Sequence, residues 1–289
     1  MNQDYLKRFI FDDADVRGHH VSLKDVVQSV TQYHDYPPVI AELLSQALVA
    51  NVLLATTLKF EGKISLQLQY GQHIELLYVE CNHKREVKGT CRWQGDVEGK
   101  DFQALVATGS MVVTIEPEKG ERYQGIVALE GESLAGCLED YFARSEQLAT
   151  KIWLTCATGQ AAGLLLQQLP ACHNEDTWEH LSIITDTLTD NELLTLHSEE
   201  LLHRLYHNEA LRVFEEESIH HVCGCSKLRC QNSLLTLPVS EIEAIRQENQ
   251  DGLDMTCQFC NKVYHFDDID LLRLIKQDLA QNNPGLKPH

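Results

Sequence analysis

Two close cysteine pairs near the C-terminal end limit what this chain can fold into more than any other feature. Val222 to Cys230 reads VCGCSKLRC and Thr256 to Cys260 reads TCQFC, so a Cys-x-Cys pair (Cys223, Cys225) and a Cys-x-x-Cys pair (Cys257, Cys260) flank the stretch 226–256. Zinc accepts four thiolates tetrahedrally, and two close pairs brought together by a hairpin of chain meet that geometry with little backbone distortion. The spacing predicts a four-thiolate site for one zinc ion per chain. Cys230 and His265 are competing ligands, each close in sequence to a pair, and His220 and His221 precede the first pair. The stretch 223–289 is too short for a secure independent core. A structural zinc ion contributes roughly 10–16 kcal/mol in small modules, so metal loss is expected to unfold this segment.

Charge divides the rest. The chain of 289 residues is 43% apolar and 23% charged, which excludes global disorder. Its formal net charge of −19 repels phosphate backbones and anionic lipid surfaces, so neither nucleic acid nor membrane is an expected partner. Residues 1–172 carry a net −7 and residues 223–289 a net −2, both ordinary. Residues 173–222 carry 12 acidic residues against only Arg204 and Arg212, together with seven of the 14 histidines. Such a segment repels itself. Three parts are therefore expected: a core over 1–172, an acidic linker over 173–222 and a zinc-binding part over 223–289.

Within the core, Pro38 to Leu58 reads as one long apolar helix, preceded by a shorter amphipathic one from Leu23 to Tyr33. Lys63 to Tyr70 alternates apolar and polar residues as a half-buried strand does. Ile74 to Glu80, Met111 to Ile115, Tyr123 to Leu129 and Lys151 to Cys156 are short strand-like runs, and Ser133 to Arg144 returns to a helical period. The fold class is α+β, with a mixed core. In the linker the apolar residues cluster at helical spacing: Leu193, Leu194 and Leu196, then Leu201, Leu202, Leu205 and Tyr206, then Val213 and Phe214. Thr189 with Glu192 has the form of a capping box. Short helices with this much like charge need a neighbour to lean on.

Other patterns carry less. Gly131 to Cys137 lacks the Lys and Ser/Thr of a phosphate loop, and Asp12 to Gly18 lacks the closing Glu of a calcium loop. Cys81, Cys91, Cys137, Cys156 and Cys172 are scattered and read as small buried hydrophobes. The linker histidines His173, His180, His197, His203, His207, His220 and His221 read as solvent-facing, and their protonation would relieve the segment's self-repulsion. The first residues, MNQDYLKRFIFDD, lack the apolar region and cleavage site of a signal peptide, and runs such as Ala161 to Leu166 fall far short of a membrane span. A soluble, cytoplasmic protein is expected, and ten cysteines there point to metal or redox chemistry rather than a disulfide scaffold.

Zinc-bound thiolates are already deprotonated and so are primed for attack on peroxide or hypochlorite. The cysteine pattern resembles the C-terminal signature of the 33-kilodalton heat-shock chaperone family, the redox-regulated, zinc-binding holdases also called 33-kilodalton chaperonins. Further similar stretches are Val16-Arg17-Gly18, Tyr36-Pro37, Leu58 to Gly62, Tyr123 to Val127, Ser145 to Leu148 and Leu165 to Pro170, so the likeness runs nearly end to end. Ser45-Gln46 departs from a frequent Gly-Glu. The resemblance implies an ATP-independent holdase, not an enzyme, that is inactive while Cys223, Cys225, Cys257 and Cys260 hold zinc. It further implies oxidation to Cys223–Cys225 and Cys257–Cys260 disulfides, zinc release, unfolding of the linker, dimerisation and capture of unfolding client proteins.

Two other classes compete with the holdase. A zinc-ribbon nucleic-acid or protein-binding module with a purely structural zinc would need a basic stripe if it bound phosphates, and residues 223–289 offer none. A thiol enzyme using Cys257 and Cys260 would need a βαβ context, which the pattern lacks.

Overall fold

The computed structural model describes residues 3–56, 61–157, 159–170, 175–248 and 251–282. Cys172, His173 and the expected helix end at Leu58, with most of the Leu58 to Gly62 stretch, lie outside the described residues. The chain forms two compact units, Met1–Val222 and Cys223–His289.

The first unit opens with β1 (Tyr5–Phe11), β2 (Val16–Leu23), α1 (Asp25–Thr31), α2 (Pro38–Ala55), β3 (Gly62–Gln69), β4 (Ile74–Asn82) and β5 (Glu86–Trp93). Helix α3 (Phe102–Val106), β6 (Ser110–Pro117), β7 (Tyr123–Ala128), α4 (Leu134–Tyr141), β8 (Thr150–Ala157) and β9 (Gln160–Gln168) follow. The acidic segment supplies α5 (Glu175–Asp186), α6 (Asp190–Thr195), α7 (Ser198–Tyr206), β10 (Leu211–Ser218) and β11 (His220–His221). The second unit holds α8 (Lys227–Leu234), α9 (Val239–Glu248), β12 (Leu253–Thr256), β13 (Val263–Phe266) and α10 (Asp268–Asn282).

Two sheets dominate the first unit, a five-stranded one ordered β10-β1-β2-β9-β8 and a six-stranded one ordered β11-β5-β4-β3-β6-β7. Strand β3 shows how sequence makes such a ladder: Ile64, Leu66 and Leu68 turn inward while Ser65 and Gln67 sit half exposed. Helix α2 packs against strands of both sheets, which is why it is apolar nearly all round. It corrects the expectation that no apolar stretch approaches membrane length: its 18 residues are long and apolar enough, but 72% of that window is buried inside the protein. Ser45 in place of the frequent Gly fits this helix, its hydroxyl donating to the Ala41 carbonyl at 2.6 Å.

The other face of the five-stranded sheet is covered by the acidic segment. Phe9, Phe11, Val16, Leu164 and Leu166 from the sheet form one buried cluster with Leu181, Leu193, Leu201, Leu202 and Tyr206. Gly18 lies under the Phe9 ring, where an added Cβ would stand 2.1 Å from a ring carbon. The capping box expected at Thr189 is present. The third apolar pair behaves differently from the expectation of a wholly helical linker: Val213 and Phe214 lie on β10, which pairs antiparallel with β1. Backbone ladder and charge hold β10, for Glu217 takes Arg8 and Arg85 at 2.8 Å each and the Arg8 guanidinium sits 5.6 Å from the Phe214 ring. The residues 173–222, expected as a separate part, thus cluster with the first 172 in one unit.

Candidate metal centre

In the second unit the chain between the two cysteine pairs folds into α8 and α9, and the pairs themselves sit in two tight turns. Gly224, between Cys223 and Cys225, has φ +66, a left-handed conformation that favours glycine. Ser226 then caps α8, accepting from the Arg229 backbone N–H. The second pair occupies the turn between β12 and β13: Cys257 N–H donates to the Lys262 carbonyl at 2.9 Å, and Asn261, at φ +54, donates to the Cys257 carbonyl at 2.8 Å. Both turns point sulfur at sulfur.

The four Sγ atoms of Cys223, Cys225, Cys257 and Cys260 lie within 4.8 Å of one another. Cys223 to Cys257 is 3.5 Å and Cys225 to Cys260 is 3.4 Å. Tetrahedral zinc with Zn–S bonds of about 2.3 Å sets its sulfurs about 3.8 Å apart. The donor set therefore fits a borderline-soft tetrahedral ion without rearranging the backbone. When bound, such an ion would hold all four sulfurs as thiolates and staple the two turns together.

Without an ion the four groups share their protons unequally. Burial pushes the Cys225 thiol up, but hydrogen bonds from the Tyr264 hydroxyl and then from Cys260, Cys223 and Cys257 outweigh it and bring it down to about 7. Burial, and then the neighbouring thiols, push Cys223 well above the ordinary thiol range. The first proton leaves from Cys225.

Of the competing ligands, His265 turns to Asp254 across the β12–β13 ladder, Nδ1 to Oδ1 2.7 Å. Cys230 is outside the four-sulfur set. Its thiol is raised by burial and then by the charges of Cys257 and Cys225, so it sits beside the cluster without joining it. His220 and His221 form β11 beside β5 of the first unit. Among the scattered cysteines, Cys81, Cys91 and Cys137 are buried and Cys156 is half-buried. Burial raises the Cys81 and Cys91 thiols to about 12 and that of Cys156 to about 11, which suppresses their reactivity.

Beneath the sulfurs is a small apolar cluster of Leu234, Ile242, Tyr264, Phe266, Leu271, Leu274 and Ile275. Tyr264 has a second role that cysteine spacing gave no sign of, for its hydroxyl donates to Cys225 Sγ at 3.1 Å. Sequence reasoning also missed the buried His20, whose Nδ1 lies 2.8 Å from Ser198 Oγ at the start of α7. No local pattern marks a histidine whose partner is 178 residues away.

The sequence profile of the Hsp33 protein family matches residues 4–267. The chain belongs to the Hsp33 family. A 33 kDa chaperonin of Pseudomonas aeruginosa is 44% identical over 281 residues, covering 94% of this chain and 95% of the relative. One from Shewanella frigidimarina is 45% identical over 276 residues, covering 95% and 96%. The crystal structure of a 33 kDa chaperonin from Thermotoga maritima superposes with a TM-score of 0.84 over 96% of this chain and 99% of that one, at 21% identity. This Hsp33 chain therefore shares its fold with that solved chaperonin.

Proposed function

We propose that this Hsp33-family chain is an oxidation-activated, ATP-independent holdase with one zinc ion held by Cys223, Cys225, Cys257 and Cys260. The observation that carries the reading is the gathering of four sulfurs within 4.8 Å in a unit whose apolar cluster has seven buried residues among those described. A unit so small depends on its metal site for stability. In the chemistry proposed, one thiolate attacks peroxide, the O–O bond breaks, and a sulfenic acid and hydroxide result. A second thiolate displaces hydroxide from that sulfur and completes a disulfide, so two sulfurs lose the two electrons that peroxide gains. Pairing Cys223 with Cys225 and Cys257 with Cys260 leaves no thiolate to hold a divalent ion, and residues 223–289 unfold.

The acidic segment over 173–222 is the second part of the reading. Its net charge disfavours a compact state, and its docking rests on the β10–β1 ladder, the apolar cluster with Phe9 and Phe11, and charge pairs such as Lys7 with Glu216 at 3.7 Å. The proposed active form releases this segment, exposes the apolar faces on both sides of the contact to unfolding proteins, and dimerises. The cytoplasm is the proposed compartment.

Light scattering of a denatured client diluted into buffer tests the proposal, with the protein either reduced and zinc-loaded or peroxide-treated and then freed of oxidant. Suppression by the oxidised form alone is expected. Equal behaviour in the two states would overturn the switch and favour a binding module with a purely structural zinc.

A further inference from the structure

Tyr264 lies on β13, is 9% exposed, and packs in the small apolar cluster of the second unit. A tyrosine so placed keeps its hydroxyl satisfied, and here the partner is a sulfur: the O–H donates to Cys225 Sγ at 3.1 Å. Lys262 Nζ stands 5.4 Å from the ring centroid. A cation over the ring face draws on its electron density and makes the hydroxyl a better donor. The ring is fixed by packing, so the bond costs little entropy to hold.

A sulfur that accepts a hydrogen bond has less electron density to offer an electrophile, and groups that bond to metal ligands also steady the ligands. We propose that Tyr264 is a positioning residue that shields Cys225, lowering the reactivity of its thiolate and slowing the loss of the metal site to oxidants. The inference rests on the redox reading above. The step it slows is attack by Cys225 sulfur on a peroxide oxygen, which breaks the O–O bond, releases hydroxide and leaves a sulfenic acid. With the hydroxyl in place that attack at Cys225 is slowed. The consequence is a threshold: brief or weak peroxide exposure leaves Cys225 a thiolate and the site recoverable.

The test compares the full-length, reduced, zinc-loaded protein with its Tyr264→Phe variant, which keeps the ring and removes only the hydroxyl. Per-cysteine alkylation by iodoacetamide is followed by mass spectrometry, and zinc loss under peroxide by a chromophoric chelator. Zinc binding roughly 10-fold weaker is expected in the variant, within the range for lost partners of metal ligands. Cys225 alkylation should rise several-fold relative to the other three cysteines, and zinc loss should quicken. Unchanged alkylation order and unchanged zinc loss would overturn the proposal. Should the variant fail to take up zinc, wild-type protein labelled with 3-fluorotyrosine replaces it. That more acidic hydroxyl should slow Cys225 alkylation, and equal or faster alkylation there would overturn the proposal. Client light scattering is not among these readouts, so failure of the chaperone reading and failure of this one are told apart.

Discussion

His20 on β2 and Ser198 at the first turn of α7 share a fully buried hydrogen bond, Nδ1 to Oγ 2.8 Å, that ties the core sheet to the acidic segment. Burial, and then the nearby His197, hold the His20 imidazole down at about 4. The groups around it are the Tyr5 ring on β1 at 5.8 Å, Ser198 and Leu193 from the helices above, and His197, which itself faces Glu216 at 3.2 Å. The docked state therefore keeps His20 neutral, whereas the undocked state, with an ordinary value near 6.5, takes up a proton first. The contribution of His20 to docking is therefore fully present above pH 6.5 and is lost as pH falls toward 4, by roughly 3 kcal/mol across that window.

The ion pairs of the exposed His180 with Glu209 and of the half-buried His197 with Glu216 act in the opposite sense when charged, as does relief of the segment's self-repulsion. Pairs this open to solvent contribute only about 0–1 kcal/mol, and the repulsion is screened within about 8 Å at physiological salt. The buried group wins. Proteolysis within 173–222 of the reduced protein should quicken from pH 7 to pH 5, with protease activity matched, and the quickening should shrink in a His20→Gln variant. Equal cutting at both pH values would refute this.

Tyr206 should be the most sensitive position in the docked segment. The residue is 2% exposed, its ring centroid lies 5.0 Å from that of Phe11 and 5.9 Å from that of Phe9, and its hydroxyl meets Thr185 Oγ1 at 2.5 Å. Truncating such a ring leaves a cavity worth about 3–5 kcal/mol. Tyr206→Ala is expected to suppress client aggregation while still reduced and zinc-loaded. Tyr206→Phe, losing only the hydroxyl contact at about 1 kcal/mol, should stay inactive when reduced. A reduced Tyr206→Ala protein with no protection would separate docking from regulation.

What was legible in the sequence follows from how local each cause is. The sulfur site was legible because metal coordination needs ligands in close pairs, and β3 was legible because one of its faces is wet. Strands β1, β2 and β9 escaped notice because helices cover both faces of their sheet, which erases the alternation; β9, QAAGLLLQQ, is buried at seven consecutive positions. Val213 and Phe214 were misplaced in a helix because β1, the strand they pair with, lies about two hundred residues earlier in the chain. Tyr264 was legible as an aromatic residue but not as a sulfur ligand's partner, since only the β13 register brings it beside Cys225.

Cys230 separates the four-sulfur site from its alternatives. It lies outside the cluster although the charges of Cys257 and Cys225 reach it. Cys230→Ser should therefore bind one zinc per chain with little change in affinity, measured by metal analysis after gel filtration. Replacing Cys223, Cys225, Cys257 or Cys260 by Ser should abolish stoichiometric binding. Loss of zinc on Cys230→Ser alone would move the ligand set.

Removing the metal under reducing conditions isolates its structural role from oxidation. Among the described residues the second unit buries seven apolar side chains in one small cluster, too few to hold a stretch of this length by themselves. The first unit faces no such deficit, with two sheets packed on α2 and a cluster that draws on nearly every element before the acidic segment. Chelation with the thiols kept reduced should thus erase the amide protection of β12, β13 and α8 while leaving β3 and β4 protected, measured by hydrogen exchange. Protection that survives chelation in β12 and β13 would show that the apolar cluster suffices and that the four sulfurs serve another purpose.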